Sequence, residues 1–453
     1  MAKMEQDLSG GMAAVSLQTQ KKLSMREKTF VITLFLLTVS ALFYVNWTAS
    51  DKLNLTIGIY GAVMISYLLG KMLLSFKYQE IMEDPPDLKV SVIIPSYNEE
   101  PHAVLGTIES ILKQDYPVHE IFVIDDGSKD TSGYEAALAF KKQYDETVAQ
   151  TAASLSGAAA AAHAPTKLIV HRLKKNAGKR HAQIWAFKQA EGDVIFTVDS
   201  DGYTHPDAVR NLMIPFHDPK VMAVTGHINA RNKDENWFTK LLDMRYDNAF
   251  RVERAAQSVT GNVLVCSGPI SCYRREVIMD NLEDYANQMF LGEQVQYGDD
   301  RCLTNYAILK GKTLYQSTAR CDTDVPATLR QFLKQQVRWN KSFFRESLIA
   351  FKIGLKKPKT LIWVILELSL WFLFGFIILF SLIFKVKTVG FVLLAYYLAY
   401  LAFSAYARNV FYILKRPWVF LMAPLYGMIH LVLLFPLRFY ALLTIKSNGW
   451  GTR

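Results

Sequence analysis

Cysteine is scarce in this chain of 453 residues, and no two cysteines form a CxxC pair or have the spacing of a metal-binding knuckle. The four are Cys266, Cys272, Cys302 and Cys321. A disulfide framework and a zinc ribbon are therefore excluded as the basis of the fold. A recognisable nucleic-acid-binding module is also lacking. The net charge of +10 thus indicates contact with a lipid surface or a phosphorylated substrate.

Long apolar runs, by contrast, are abundant at both ends of the chain. They cover Phe30–Trp47, Leu53–Leu69, Leu361–Phe384, Val389–Ala405 and Pro417–Ile445. Because about 20 apolar residues cross a bilayer core, the sequence predicts two membrane spans within residues 29–76 and at least three apolar segments within residues 361–448. A cleaved signal peptide is disfavoured for the first run, since a mostly polar stretch precedes it and no clear cleavage site follows.

Basic residues before the first run predict the orientation of the chain. Lys21, Lys22, Arg26 and Lys28 place the tail, residues 1–28, in the cytoplasm by the positive-inside tendency. Two crossings then return the chain, so residues 84–328 are predicted to be cytoplasmic in a multi-pass plasma-membrane protein. As one straight helix the last run would be about 43 Å long, more than a typical hydrocarbon core of roughly 30 Å, so a break or strong tilt is expected there.

The region between the apolar blocks has the pattern of an α/β domain. Short β-branched runs at Lys89–Pro95, Glu120–Ile124, Lys167–His171 and Asp193–Val198 alternate with helical stretches. This alternation predicts a parallel, doubly wound sheet whose ligands bind beyond the carboxyl ends of the strands. The Ala-rich stretch Thr147–Pro165 is interpreted as a surface loop or short helix without a chemical role.

Acidic motifs follow two of these strands. Asp199-Ser200-Asp201 offers two carboxylates that suit Mg²⁺ or Mn²⁺, although such a triplet alone is common by chance. Asp125-Asp126-Gly127-Ser128 could accept a hydrogen bond from a uracil ring; the alternative is an acidic helix cap.

Three further motifs carry charge or aromatic surface. The basic run Lys174–His181 suits a diphosphate, although a solvated loop is the usual meaning of such a run. Gly298–Arg301 (GDDR) places a carboxylate pair before a helix. Gln335–Trp339 (QQVRW) lies on a predicted amphipathic helix within residues 329–358, either at a membrane interface or packed in a core. Arg338 can pair with phosphate, and Trp339 offers a flat face to a sugar.

The order of these motifs carries a family resemblance. SYNE (Ser96–Glu99), DDGS, GKRHAQ, DSD, SGP, GDDR and QQVRW resemble the processive inverting glycosyltransferases of the cellulose, chitin and hyaluronan synthase group, which have a GT-A fold. Longer blocks, such as GDDRCLTNYA and YQSTARCDTDVP, resemble the streptococcal-type (class I) hyaluronan synthases. The resemblance covers nearly the whole chain from about Leu55 to Arg453.

The resemblance implies a role for each matching residue. Tyr97, Glu99 and Asp126 would hold uridine, Lys179 the diphosphate, and Asp199 and Asp201 ribose and metal. Asp300 would be the general base, and Gln335, Arg338 and Trp339 would close the site. Cys266, Ser267, Gly268 and Pro269 would line the acceptor pocket, with Asp299 and Arg301 also binding substrate. One departure is Gly202, which follows DSD where the family usually has Thr.

The resemblance also implies the substrates and product. We expect UDP-GlcNAc and UDP-glucuronate as donors, hyaluronan as the polymer, a channel formed by the chain's own spans, and neither nucleic acid nor an obligate protein as partner. A chitin or chitin-oligosaccharide synthase using UDP-GlcNAc alone is the nearest alternative. A non-catalytic membrane exporter or scaffold is a third, and the intact motifs argue against it.

Overall fold

Long apolar helices lie at both ends of the described part of the chain. The structure is a computed structural model, and it describes residues 23–52, 55–154, 165–384 and 386–446. Helices α1 (Met25–Lys52) and α2 (Leu55–Lys77) come first. The described residues contain five candidate membrane spans, at Met25–Thr48, Gly58–Lys77, Pro358–Ile377, Gly390–Arg408 and Ala423–Leu443. Two lie near the N-terminus and three near the C-terminus, in the runs identified from the sequence. Residues 1–22 of the predicted tail lie outside the described residues.

Strands and helices alternate between these apolar blocks. The first half contains β1 (Val90–Ser96), α3 (Pro101–Leu112), β2 (Glu120–Asp125), α4 (Ser132–Ser154), β3 (Lys167–Arg172), α5 (Lys179–Phe187) and β4 (Val194–Thr197). The four strands predicted from sequence are present, with ends shifted by no more than one residue. The Ala-rich stretch continues α4 as far as Ser154, and its residues 155–164 lie outside the described residues.

The second half of this domain is less regular. It contains β5 (Tyr203–Thr204), α6 (Ala208–Met213), β6 (Val221–Ala230), α7 (Trp237–Asn248), α8 (Ala255–Val259), β7 (Ser271–Arg274), α9 (Arg275–Met279), α10 (Leu282–Ala286), β8 (Met289–Phe290), β9 (Glu293–Gln294), α11 (Asp299–Lys310) and β10 (Lys312–Thr323). A π-helical turn, Ala249–Arg254, joins α7 to α8.

Eight strands form one mixed sheet in the order β3-β2-β1-β4-β7-β6-β10-β5. The block β3-β2-β1-β4 is parallel, as predicted, with Ile93 paired to Phe122 on one side and to Thr197 on the other. Strand β7 then runs antiparallel to both β4 and β6. The predicted parallel, doubly wound arrangement is therefore present in that block, whereas β7 could not be predicted, because its four residues lack the long β-branched run that marks a buried strand.

The core of the domain lies on both faces of this sheet. Val92, Ile93 and Ile94 are completely buried in β1. On α3, Val104, Ile108 and Ile111 follow the spacing of one helix face and are also buried. Because both faces are covered, the carboxyl ends of the strands are left as the open edge at which a ligand can bind.

The C-terminal helices lie against this domain. They are α12 (Leu329–Gly354), α13 (Pro358–Phe384), α14 (Val386–Arg408), α15 (Pro417–Leu421), α16 (Ala423–Ile429) and α17 (Phe435–Leu443). A capping box between Thr328 and Gln331 starts α12, which packs on α11, α13 and α17. The last apolar run is broken, as expected from its length, after α15 and again at a π-helical turn, His430–Leu434.

Candidate active site

A continuous cavity of about 1160 Å³ begins where the parallel strands end and continues between the membrane helices. Its first part is lined by Ser96 at the end of β1, Asp126 after β2 and Asp199 after β4. Its far part is lined by residues of α2, α13, α14, α16 and α17. The carboxyl edge of the sheet therefore opens directly into the helical bundle.

The structure brings nearly all the predicted site residues to this cavity. Those lining it are Tyr97, Glu99, Asp126, Lys179, Asp199, Asp201, Ser267, Gly268, Pro269, Asp299, Asp300, Arg301, Gln335, Arg338 and Trp339. Cys266 does not line it. Its side chain is completely buried in the hydrophobic core, where burial raises the pKa of the thiol to about 12. Of the four residues predicted to line an acceptor pocket, Ser267, Gly268 and Pro269 therefore reach the cavity and Cys266 does not.

Asp126 anchors the basic loop that was predicted to hold a diphosphate. The N–H groups of Ala177 and Gly178 donate to its two carboxylate oxygens at 3.0 and 2.8 Å. Gly127 makes this approach possible, because its φ is +64° and a Cβ there would lie 2.6 Å from the backbone nitrogen of Asn176. Asp125, not Asp126, closes the turn by accepting the N–H of Ser128 at 3.0 Å.

Lys179 lies between two carboxylates from distant parts of the chain. Its Nζ is 2.6 Å from Oδ1 of Asp199 and 3.1 Å from Oδ2 of Asp299. Burial alone would lower the pKa of Lys179, but the two carboxylates outweigh it and raise the pKa above its usual value. The lysine is therefore a permanent cation at the centre of the site, available to an anionic leaving group.

Asp299 and Asp300 lie at the start of helix α11, and the pKa values of their carboxyl groups are shifted in opposite directions. Burial tends to raise the pKa of Asp299, but Lys179 and Arg180 hold it below its usual value. For Asp300, burial and the neighbouring Asp299 raise the pKa to about 6. Asp299 is thus an anion paired with lysine, whereas the raised pKa of Asp300 is compatible with the general-base role predicted from the sequence.

Helix α12 fixes the loop that carries these carboxylates. Arg345 donates to the carbonyl of Tyr297. Gly298, with φ +89°, lies so close that a Cβ would be 2.8 Å from Nη2 of Arg345. The carboxylate of Glu346 accepts from Arg345 at 3.0 Å and from Asn305 of α11 at 3.2 Å. Helix α12 also carries Trp339, which is 47% exposed. The same helix therefore presents this tryptophan and positions the loop before Asp300.

Comparison with known proteins places this site in a family. A model of glycosyl transferase family 2 matches residues 91–282, and one of glycosyl transferase family group 2 matches residues 194–445. A hyaluronan synthase of Streptococcus pyogenes serotype M6 is 48% identical over 428 residues, covering 94% of this chain and 97% of the relative. The chain belongs to the hyaluronan synthase family. It is therefore a glycosyltransferase.

More distant relatives show how far the similarity extends. An N-acetylglucosaminyltransferase of Mesorhizobium japonicum is 34% identical over 383 residues, covering 82% of this chain and 84% of that protein. A solved structure of a mannosyltransferase from Pyrobaculum calidifontis, in complex with GDP-Man and Mn²⁺, has a TM-score of 0.55 and 18% identity and covers 90% of this chain and 100% of that one. This likeness shows the GT-A fold.

Gly202 occupies a tight position in the turn after DSD. Its N–H donates to the carbonyl of Asp199 at 2.9 Å. A Cβ would lie 3.1 Å from both that carbonyl oxygen and a methyl of Val198, and 3.3 Å from Sγ of Cys321. The Thr usual in the family would therefore need its neighbours to shift by a few tenths of an ångström, so glycine here matches the local packing of this chain.

The residues of the DSD turn fit a divalent cation. Asp199 and Asp201 both line the cavity, and carboxylate oxygens are the ligands that Mg²⁺ and Mn²⁺ prefer. A separate cluster, His119, Glu120 and Glu191, has ligand atoms within 4.8 Å of one another but does not line the cavity. There Glu120 accepts from Ser91 and from the N–H of Glu191, both at 2.6 Å, which explains its burial as part of the fold.

The sequence did not reveal the residues that line the far part of the cavity. Among them are charged side chains on candidate spans: Lys71, Glu367, Arg408 and Arg438. A charge within an apolar span usually faces a protein interior or an aqueous cavity. That signal was present in the sequence, but it could not show that four separate helices face one another.

Loss of the Glu346 carboxylate should destabilise the protein strongly. Glu346→Ala leaves Arg345 buried without its carboxylate partner, and we expect a loss of about 3–5 kcal/mol in the free energy of unfolding. Thermal unfolding of the purified protein in detergent measures this. Glu293→Ala, which removes an exposed carboxylate, is the control. Equal unfolding temperatures for the two variants would contradict the proposed role of Glu346.

The activity should fall in mild acid. In the role of general base predicted from the sequence, Asp300 must be deprotonated, and its pKa is raised to about 6, so we expect the activity to be present above that pH and lost below it. We expect a rate about tenfold lower at pH 5 than at pH 7.5. Initial rates at saturating donor, together with UDP binding over the same range, measure it. A flat profile down to pH 4.5 would show that Asp300 is not the base.

Proposed function

We propose that the chain is a processive synthase that polymerises UDP-GlcNAc and UDP-glucuronate into hyaluronan and moves the polymer across the plasma membrane. The observation that carries the proposal is the continuity of the cavity, which joins donor-side residues such as Lys179 to the membrane helices. The 48% identity to a hyaluronan synthase over nearly the full length supports the choice of product. In this proposal residues 84–328 face the cytoplasm, where the nucleotide sugars are.

The donor is held at the carboxyl edge of the sheet. Tyr97, Glu99 and Asp126 surround the nucleoside, and Lys179 neutralises the diphosphate. Asp199 and Asp201 would hold Mg²⁺ or Mn²⁺, which when bound supplies further positive charge to the leaving group. Nζ of Lys179 lies 2.6 Å from Asp199, one of the residues that would hold the metal ion. The lysine and the metal would therefore stabilise the departing UDP from the same side of the sugar.

The transfer step inverts the anomeric carbon. A hydroxyl of the acceptor sugar gives its proton to the carboxylate of Asp300, its oxygen forms a bond to the anomeric carbon, and the bond from that carbon to the diphosphate breaks. The bonding electrons leave with UDP. Trp339 offers its ring to the acceptor, and Gln335, one turn earlier on the same helix, and the adjacent Arg338 close the site.

The far part of the cavity takes the growing polymer. Tyr67, Trp371 and Tyr426 are among the aromatic residues on its wall, and flat rings suit the faces of sugars. Transfer at Asp300 adds one sugar at the entrance, so each addition moves the chain toward the membrane. No separate exporter is needed in this scheme.

A synthase that uses UDP-GlcNAc alone is the second candidate, favoured by the 34% identity to an N-acetylglucosaminyltransferase. The purified protein with Mg²⁺ or Mn²⁺, given both donors or each alone, separates the two. We expect a long polymer only with both donors, digested by a hyaluronan-specific lyase. A chitinase-sensitive product from UDP-GlcNAc alone would favour the second candidate and overturn the first.

A further inference from the structure

Three arginines on the cavity wall carry polar atoms that lack a partner. Within the described part of the chain, Nη1 of Arg245, Nε of Arg254 and Nε of Arg438 are buried and make no hydrogen bond. All three residues line the cavity, and we call them the arginine wall. A buried donor left unpaired costs about 1–3 kcal/mol, more when it is charged. These three nitrogens are enclosed, but the guanidinium groups that carry them line the cavity and present positive charge to a ligand there.

The arginine wall begins beside the reaction centre. Nη2 of Arg254 donates to Oγ of Ser267 at 3.0 Å, and its guanidinium lies 4.3 Å from the ring centre of Phe250. The next residue, Gly268, is in turn within van der Waals distance of the donor-side charges. A Cβ there would lie 3.5 Å from both Asp199 and Lys179. A sugar that has just been transferred thus passes Arg254 first.

The wall continues from Arg254 toward the membrane helices. Arg245 is the electrostatic neighbour of Arg254 and also interacts with the side chain of Tyr426 on α16. Arg438, on α17, is in turn an electrostatic neighbour of both Tyr426 and Arg245. The three cations are therefore arranged in series from the acceptor pocket into the bundle.

Among the described residues, the carboxylates on this part of the cavity wall, Glu253 and Glu367, are fewer than the cations there, which are Lys71, Arg245, Arg254, Arg408 and Arg438. Glu253 serves several cations at once, with contacts to Lys71 at 3.2 Å and to Arg245 at 3.4 Å. Burial lowers the pKa of the Arg254 guanidinium; Glu253 opposes this, while Arg245 adds to it. The wall therefore retains positive charge that an anion would neutralise.

We infer that the arginine wall is a binding site for the carboxylate of a uronic-acid sugar in the newly made polymer, with Arg254 making the first contact. The guanidinium fork matches a carboxylate in geometry and charge. A neutral N-acetylglucosamine polymer offers hydroxyl and amide oxygens as acceptors but no negative charge, so it would leave the positive charge of the wall unneutralised. The inference rests on the proposed function and deepens it, because it names the residues by which the cavity selects an anionic chain.

Equilibrium binding of labelled oligosaccharides to the purified full-length protein tests the inference. The probes are a hyaluronan hexasaccharide and a chitin hexasaccharide, at low and high salt. The variants are Arg254→Gln, which removes the charge, and Arg254→Lys, which keeps it. Arg210→Gln, which breaks an exposed ion pair with Asp115 outside the cavity, is the matched control. Arg245→Gln gives a second, independent removal of charge if Arg254→Gln lowers the unfolding temperature.

We expect Arg254→Gln to weaken hyaluronan binding about tenfold or more while chitin binding changes less than about twofold. Arg254→Lys should recover part of the loss, and the preference of the wild type for hyaluronan should shrink with salt. Equal weakening of both probes, or no preference in the wild type, would overturn the inference. If the polymer made is hyaluronan and the probes still bind alike, only this inference fails. A chitinase-sensitive polymer would instead show that the proposed function fails.

Discussion

Replacing Asp300 by asparagine is expected to reduce sugar transfer by a factor of about 10²–10⁴, the usual contribution of a general base. The amide keeps the size of the side chain but cannot take the acceptor proton. UDP should still bind, because in the proposed function its contacts are with Lys179 and the residues at the strand ends. Initial rates with both donors, and UDP titration of the same preparation, measure the two effects separately.

The control for this variant is Glu293→Gln, which removes an exposed carboxylate a few residues earlier in the chain. It should keep wild-type rates. If Asp300→Asn loses UDP binding altogether, Asp300 holds the donor and another group is the base. Activity within tenfold of the wild type would also exclude Asp300 as the base.

Replacing Lys179 by methionine should lower kcat/KM by a factor of about 10²–10³, the effect of losing one preorganised group that stabilises the leaving charge. The substitution also leaves Asp199 and Asp299 without the cation that lies 2.6 and 3.1 Å from them. Both the KM for the nucleotide sugars and kcat should therefore change. Rates measured over a range of donor concentrations separate the two.

Lys174→Met is the matched control, since Lys174 belongs to the same basic loop but is exposed and does not line the cavity. It should behave as the wild type. Lys179→Arg keeps the charge and should recover part of the activity. Equal losses at positions 174 and 179 would show that the loop contributes only general positive charge.

The part of the site that could be predicted from sequence consists of short motifs at the ends of regular elements. Asp126 and Asp199 follow buried strands that their β-branched residues identify, and parallel strands bring such ends to one edge. Asp300 begins a helix within GDDR, and Trp339 lies one turn after Gln335. For each of these residues, the local sequence pattern and the fold class were sufficient to predict its place in the site, and the structure places it on the cavity wall.

The remainder depends on contacts between distant segments. Cys266 is buried because its side chain packs in the hydrophobic core, where its N–H donates to Oγ1 of Thr304 at 2.9 Å. The motif alone cannot show which of its residues face the core and which face the cavity. The buried pair Arg345–Glu346 contacts α11 and the loop before it, and the arginine wall joins the region of α7 to α17. The antiparallel β7 is too short to have a strand pattern. Tertiary packing, not local propensity, decides all of these.

We expect this single chain both to make hyaluronan and to move it through its own cavity, and the decisive measurement uses reconstituted vesicles that contain only the purified protein. Both labelled donors are added outside, and external hyaluronan lyase then removes exposed product. We predict a fraction of polymer, containing the two sugars in equal amounts, that resists the lyase until detergent opens the vesicles. Polymer that is entirely accessible to the lyase, or that contains only one sugar, would contradict the account.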